Sequence, residues 1–138
     1  MTESGAITEY LIDKYAPEKL APAKGSDDHL DYLQWLHFAE SSAALPLLLK
    51  VFVSKDGAQM NFLPDYAEVE LHKVMSYVGK RYLVAEKLTG ADIMMSFIVD
   101  ILTNFGLLER YTNIAQYASQ LASHDSWQTA EQLEIKFS

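Results

Sequence analysis

An all-α domain is what this sequence predicts, and three observations predict it. Glycine and proline number only six and four in 138 residues. Between these breakers, apolar residues recur at spacings of three and four. Alternating β-branched runs, the mark of half-buried strands, are missing. With 49% hydrophobic and 22% charged residues the composition is globular, and a chain this long can bury roughly two-thirds of its unfolded surface. The absence of cysteine excludes disulfide scaffolds, zinc fingers, iron–sulfur clusters and a Cys catalyst within the segment. Eleven basic against 19 acidic residues give a net charge of −8. The bases are scattered, Lys80-Arg81 being the only adjacent pair, which argues against a nucleic-acid partner, since that affinity rests on phosphate neutralisation. No basic region opens the chain, so a secretory signal is not expected. The most apolar stretches, 45–49 and 93–102, are shorter than the roughly 20 residues of a membrane span. A cytoplasmic location and no membrane partner follow as expectations.

The elements read in order. Residues 3–15 carry Ile7, Leu11, Ile12 and Tyr15 on one helical stripe and stop at Ala16-Pro17. Residues 16–25, with Pro17, Pro22 and Gly25, form the best linker in the chain. Ser26-Asp27-Asp28 opens a second helix, a small polar cap with acids against the positive helix end. It is expected to run to about Val53 with a kink at Pro46, which removes one backbone hydrogen bond. Leu33, Leu36, Ala39, Ala43 and Leu47 share a face while Trp35, Phe38 and Leu45 cover others, the pattern of a central helix. A loop at 54–62 precedes a helix from Pro64 to about Tyr82, acidic at its start and basic at Lys80-Arg81. Thr89 and Asp92 form a capping box, flanked by the hydrophobic staple of Leu88 and Ile93. The helix they start is expected to be deeply buried, to reach about Asn104 and to end at Gly106. Two further helices, 112–123 and 126–135, follow, with Asp125 and Gln128 as a second capping-box pattern.

Few residues carry a chemical signature. No P-loop or nucleophile elbow is present, Gly79-Lys80-Arg81 being placed within a helix. Glu68 four residues before His72 is a single solvent-facing pair, not a di-iron ligand set. His29, His37 and His124 show no metal spacing, so no metal is expected. Tyr32, Trp35 and Phe38 read as core or interface. The segment Thr2-Glu3-Ser4-Gly5-Ala6-Ile7 differs: it puts small polar groups and free backbone amides at a helix start, where carboxylates bind. Glu3 adds a group for an ammonium, so the pair suits the α-amino-acid end of a small molecule.

Several segments together resemble one family. Glu3-Ser4-Gly5-Ala6-Ile7, with Tyr10-Leu11 and Tyr15, is similar to the helix that closes the thioredoxin-like half of cytosolic glutathione transferases. Trp35-Leu36-His37-Phe38-Ala39-Glu40 and the Pro46-Leu47-Leu48 kink resemble the first long helix of their helical domain, in bacterial and fungal members. Tyr82-Leu83-Val84 with Leu88-Thr89, Ala91-Asp92-Ile93-Met94 resembles their late capping motif, and Tyr111-Thr112-Asn113-Ile114 with Tyr117 their next helix. The resemblance implies an all-α bundle of the C-terminal type at 26–138, preceded by a linker at 16–25 and, at 1–15, the last helix of a thioredoxin-like domain.

The resemblance further implies glutathione binding, with Glu3 and Ser4 on the γ-glutamyl ammonium and carboxylate. It places Phe38, Ser41, Ala44 and Leu45 on the electrophile pocket and gives Thr89 and Asp92 a structural role. It implies no cofactor, glutathione being a substrate, an apolar electrophile as second substrate, and a homodimer through the 28–53 and 64–82 helices. The thiol-activating Ser, Tyr or Cys of this family would lie upstream of Met1. The expectation is thus a fragment, inactive alone, of a detoxifying transferase. The alternative is a non-catalytic helical interaction module of the same fold. A bundle binding an unrelated ligand along the aromatic face of the kinked helix is a third reading.

Overall fold

A continuous helical run over residues 27–56 forms the axis of the bundle. The computed structural model describes residues 2–57, 61–79 and 81–137, and among these no strand occurs. Helix α1 spans Ser4–Tyr15 and the single turn α2 Pro17–Leu20. The axis comprises α3 (Asp27–Phe38), a π-helical turn (Ala39–Ala43) and α4 (Ala44–Asp56). Helices α5 (Leu63–Tyr77) and α6 (Gly90–Asn104) follow, then a 3₁₀ turn (Leu108–Arg110), α7 (Thr112–Ala122) and α8 (Asp125–Phe137). The fold class is as the sequence predicts.

The axis starts as expected: Ser26 caps α3, its hydroxyl accepting the His29 N–H at 3.2 Å. Tyr32, Leu36, Ala39, Ala43, Leu47 and Val51 are buried in succession, one face against α6 and α5. Where the sequence places a kink at Pro46, the break is the π turn just before it. Pro46 has no N–H for the carbonyl of Ser42 and its ring crowds that carbonyl, so the preceding turn widens. Ser41 adds to this by donating its hydroxyl back to the His37 carbonyl at 2.8 Å. The helix also outlasts Val53, reaching Asp56, where Gly57 takes the left-handed cap conformation at φ 63°. Residues 58–60 of the expected loop lie outside those described. By length and composition the 27–56 run could cross a membrane, with a window of mean hydropathy 1.4, so the apolar stretch is longer than 45–49 suggests. Here its apolar face is the core of the bundle.

Helix α5 ends five residues before the expected Tyr82. Asn113 of α7 donates its side-chain amide to the carbonyl of Met75, at 2.9 Å, and to that of Val78, satisfying groups that a continuing helix would use. Gly79 and Arg81 therefore stand beyond the helix rather than within it, and Lys80 lies outside the described residues.

Helix α6 is the centre of the core. Ala91, Met95, Ile98, Val99 and Leu102 are buried, each large side chain worth roughly 1.5–3 kcal/mol of burial. Ile93 and Phe97 depart from the expected deep burial and face outward. The helix closes with Leu107 N–H on the Leu102 carbonyl at 2.8 Å and Gly106 N–H on Thr103 at 3.0 Å, Gly106 at φ 64°. This is a Schellman motif.

Helix α1 docks on α6 through Ile12, which is buried against Gly90. Leu11 and Tyr15, placed on the same stripe by spacing, are exposed. The 16–25 segment is partly helical, and Ala21 and Pro22 within it are buried. The second capping box does not form. Asp125 is the first residue of α8 rather than its cap, and Gln128 turns its amide to the Ala122 carbonyl. The helix instead opens on His124, whose carbonyl accepts Trp127 N–H at 3.0 Å.

Candidate functional site

The start of α1 is built as the sequence suggests, with one addition. Glu3 occupies the cap position at φ 70°, a left-handed conformation that costs a non-glycine residue on the order of 1 kcal/mol. Its carbonyl accepts the first helical bond, from Ile7 N–H at 3.0 Å. Its carboxylate is exposed and has no partner among the described residues. Ser4 follows as the first helical residue. Its hydroxyl and the Gly5 N–H, the latter at 2.8 Å, both donate to Oε1 of Glu40. A carboxylate thus sits on the helix start, held by one backbone amide, one hydroxyl and the positive helix end.

That carboxylate comes from the π turn of the central helix, 36 residues away. A side chain at Gly5 would put its Cβ 2.6 Å from Glu40 Oε2, so the absence of a side chain at position 5 is what lets Glu40 in. Glu40 is half-buried; the sequence names it only as the end of the Trp35–Glu40 motif and gives it no part in the site. Its signal was a lone carboxylate inside the apolar run of a central helix.

The four residues assigned to the electrophile pocket do not converge. Phe38 packs edge-on against Trp35, ring centroids 5.0 Å apart, and faces Tyr77 at 6.4 Å. Ser41 is exposed and Ala44 is packed on the core. Leu45, exposed, lines a groove of about 180 Å³ with Pro46, Leu49 and Tyr66, to which the other three do not contribute. The π turn separates them: it changes the helical phase between Phe38 and Leu45. A larger apolar cavity, about 540 Å³, lies elsewhere, between the end of α1, α6, α7 and α8, walled by Tyr15, Leu20, Ile93, Leu121 and Trp127.

Thr89 and Asp92 are both fully buried and form the expected capping box. Asp92 Oδ2 accepts the Thr89 N–H at 2.8 Å and the Thr89 hydroxyl at 3.1 Å. Its Oδ1 accepts Leu83 N–H at 3.1 Å and the Tyr117 hydroxyl at 2.8 Å. One carboxylate therefore ties the loop before α6 and the middle of α7 to the α6 start. Burial, then the Asp92 charge and hydrogen bond, push the Tyr117 hydroxyl well above the ordinary tyrosine range.

Most of the remaining candidates have structural partners. Glu68 pairs with Lys50 and Arg110, and the Lys50 hydrogen bond holds its carboxyl below the usual range. His72 turns instead toward the Tyr111 ring, 6.0 Å away. His124 meets the Tyr82 hydroxyl at 3.1 Å, His29 stacks on Tyr32 at 5.8 Å, and His37 is exposed. Among the described residues no three His, Asp or Glu side chains are grouped to hold a metal.

No family model matches the chain. It is 28% identical to a glutathione S-transferase-like protein, OpS6, of Beauveria bassiana over 66% of this chain and 46% of that protein. It is 23% identical to glutathione S-transferase 1 of Saccharomyces cerevisiae over 96% of this chain and 66% of that protein. Among solved structures, a glutathione S-transferase from Actinobacillus pleuropneumoniae superposes with TM-score 0.81 at 28% identity, covering 96% of this chain and 63% of that one. The glutathione transferase URE2P6 from Phanerochaete chrysosporium, solved with oxidized glutathione, gives TM-score 0.85 at 22% identity, covering 100% and 68%. The chain has the all-α fold of the helical half of glutathione transferases. It resembles glutathione transferases in sequence as well, and it spans about half to two-thirds of the length of the curated relatives it matches.

Proposed function

We propose that this chain supplies the helical half of a glutathione transferase, which conjugates glutathione to an apolar electrophile. The observation that carries this reading is the α1 start, where the Ser4 hydroxyl and Gly5 amide hold a carboxylate. The γ-glutamyl carboxylate of glutathione fits that seat, with the exposed carboxylate of Glu3 available to its ammonium. Glutathione is then a substrate rather than a resident cofactor. Structural neighbours have been solved with glutathione and with oxidized glutathione, which supports glutathione as the partner.

The wall against the electrophile is assigned by resemblance alone to the kinked helix, at Phe38, Ser41, Ala44 and Leu45. The thiol is activated from a thioredoxin-like half, by a hydrogen bond that stabilises the thiolate at neutral pH. The chain's coverage of about two-thirds of its neighbours leaves room for such a half. A cytoplasmic, detoxifying homodimer fits this reading. The exposed Phe52, Phe62 and Val69 on and beside α4 and α5 support pairing there. Neither nucleic acid nor a membrane enters it.

Two assays test the proposal. The chain alone, mixed with glutathione and an aryl halide, is expected to form conjugate no faster than buffer; turnover above that rate would overturn the assignment of thiol activation to another half. Joined to a glutathione transferase thioredoxin-like half, it is expected to gain turnover, which a non-catalytic interaction module would not.

A further inference from the structure

The apolar cavity of about 540 Å³ bounded by α1, α6, α7 and α8 has no part in the proposed reaction. None of Phe38, Ser41, Ala44 and Leu45 lines it. Tyr15, on its wall, stands 11 residues along α1 from Ser4, roughly 16 Å from the helix start at about 1.5 Å per residue. The volume is that of a site for a small organic molecule.

The polar groups on the wall decide which kind. Asp92, the one carboxylate among the described lining residues, is already taken by four donors. The Trp127 indole N–H is bound to Glu131 at 2.8 Å. His124 keeps a donor. Arg81 Nε donates to Gln120 Oε1 and Gln120 Nε2 to the Tyr82 oxygen, both at 2.8 Å. The Tyr82 proton is then left for His124 Nε2, at 3.1 Å, so the ring's own proton sits on Nδ1. Nδ1 has no partner among the described residues. Lys19, from the α2 turn, lines the same cavity and has no ion pair among the described residues. Its neighbour Glu18 faces a different groove. The cavity therefore offers donors, one of them cationic, and no carboxylate to repel an anion.

We infer that this cavity is a second binding site, for a small aromatic carboxylate, with the carboxylate on Lys19 and His124 and the ring between Ile93, Leu121 and Trp127. Charge-assisted hydrogen bonds select the head group and the apolar wall selects the body. Among the described residues of α8 only Trp127 is not exposed, so a ligand packed on its ring also fastens α8 to the bundle. The site stands apart from the glutathione reading and does not rest on it.

The test is an NMR titration of the full 138-residue chain with β-naphthoate and with β-naphthylmethanol, which has the same rings and no charge. Naphthoate is expected to shift the Trp127 indole and the Ile93 and His124 amides saturably, leaving Ser4, Gly5 and the Trp35 indole unmoved. The alcohol is expected to bind about tenfold more weakly. Lys19→Met keeps the stem and removes the charge; His124→Gln keeps a group for Tyr82 and removes the Nδ1 donor. Each is expected to narrow the preference to about threefold, through weaker binding of naphthoate alone. Ala130→Trp, at an exposed position on the cavity wall, is expected to abolish binding of both compounds. Equal affinity of the two compounds for the unaltered chain overturns the assignment. So does a preference that survives in both Lys19→Met and His124→Gln, or naphthoate binding that leaves the Trp127 indole unmoved.

Discussion

Replacing Asp92 by alanine removes the acceptor of four hydrogen bonds from the centre of the fold. The Thr89 hydroxyl can rotate to another acceptor. The N–H groups of Leu83 and Thr89 and the Tyr117 hydroxyl cannot, and they are left buried without partners. Each stranded donor costs roughly 1–3 kcal/mol, and loss of the cap adds about 1 kcal/mol. Asp92→Ala should therefore cost about 5 kcal/mol or more, against a total stability of roughly 5–15 kcal/mol for a domain. Asp92→Asn keeps one acceptor oxygen but aims an NH₂ at a donor, so about half that loss is expected. Tyr117→Phe removes one donor and strands only one lone pair, for about 1–1.5 kcal/mol. Urea unfolding followed by far-UV circular dichroism reads these differences as midpoint shifts at constant slope. An Asp92→Ala variant within about 1 kcal/mol of the unaltered protein, or a Tyr117→Phe loss equal to that of Asp92→Ala, would refute the hub.

Three further outcomes follow from the same geometry. Burial first, then the charges of Glu9 and Asp13, pushes the Tyr32 hydroxyl up to about 12, above the ~10 of an unfolded tyrosine. The folded state thus holds this proton more tightly: its stabilisation is complete below about pH 10 and is lost as pH climbs toward 12. Alkaline unfolding midpoints measured at fixed urea should show this loss, and Tyr32→Phe should remove its share of it. Gly90→Ala places a Cβ 2.3 Å from Ile12 Cδ1 and 2.8 Å from the Tyr32 hydroxyl, so the side chains that dock α1 must give way. A loss of about 1–3 kcal/mol, with faster amide exchange in α1, is expected. Asn113→Ala strips the carbonyls of Met75 and Val78 of their donor; a loss of about 1–2 kcal/mol is expected, with exchange at the end of α5 rising first.

What the sequence disclosed is what neighbouring residues decide. The Ser26 cap, the Thr89–Asp92 box and the Gly106 terminator each involve residues within a few positions, and all three stand in the structure. The end of α5 was not legible because Asn113, on another helix, sets it. The break expected as a kink at Pro46 stands instead as a π turn at Ala39–Ala43, because the proline acts on the turn before its own position. Asp125 and Gln128 matched a pattern that fails once the helix opens one residue earlier, on His124. At the site, Ser4 and the α1 start were legible as a carboxylate seat. Glu40 was not, since nothing local links it to a helix that begins 36 residues before it.

A crystal structure of the chain grown with glutathione shows directly what occupies the α1 start when glutathione is present. The γ-glutamyl carboxylate is predicted on Ser4 Oγ and Gly5 N in place of Glu40, with Glu3 at the ammonium. Glutathione bound elsewhere, with Glu40 still on Ser4 and Gly5, would contradict it.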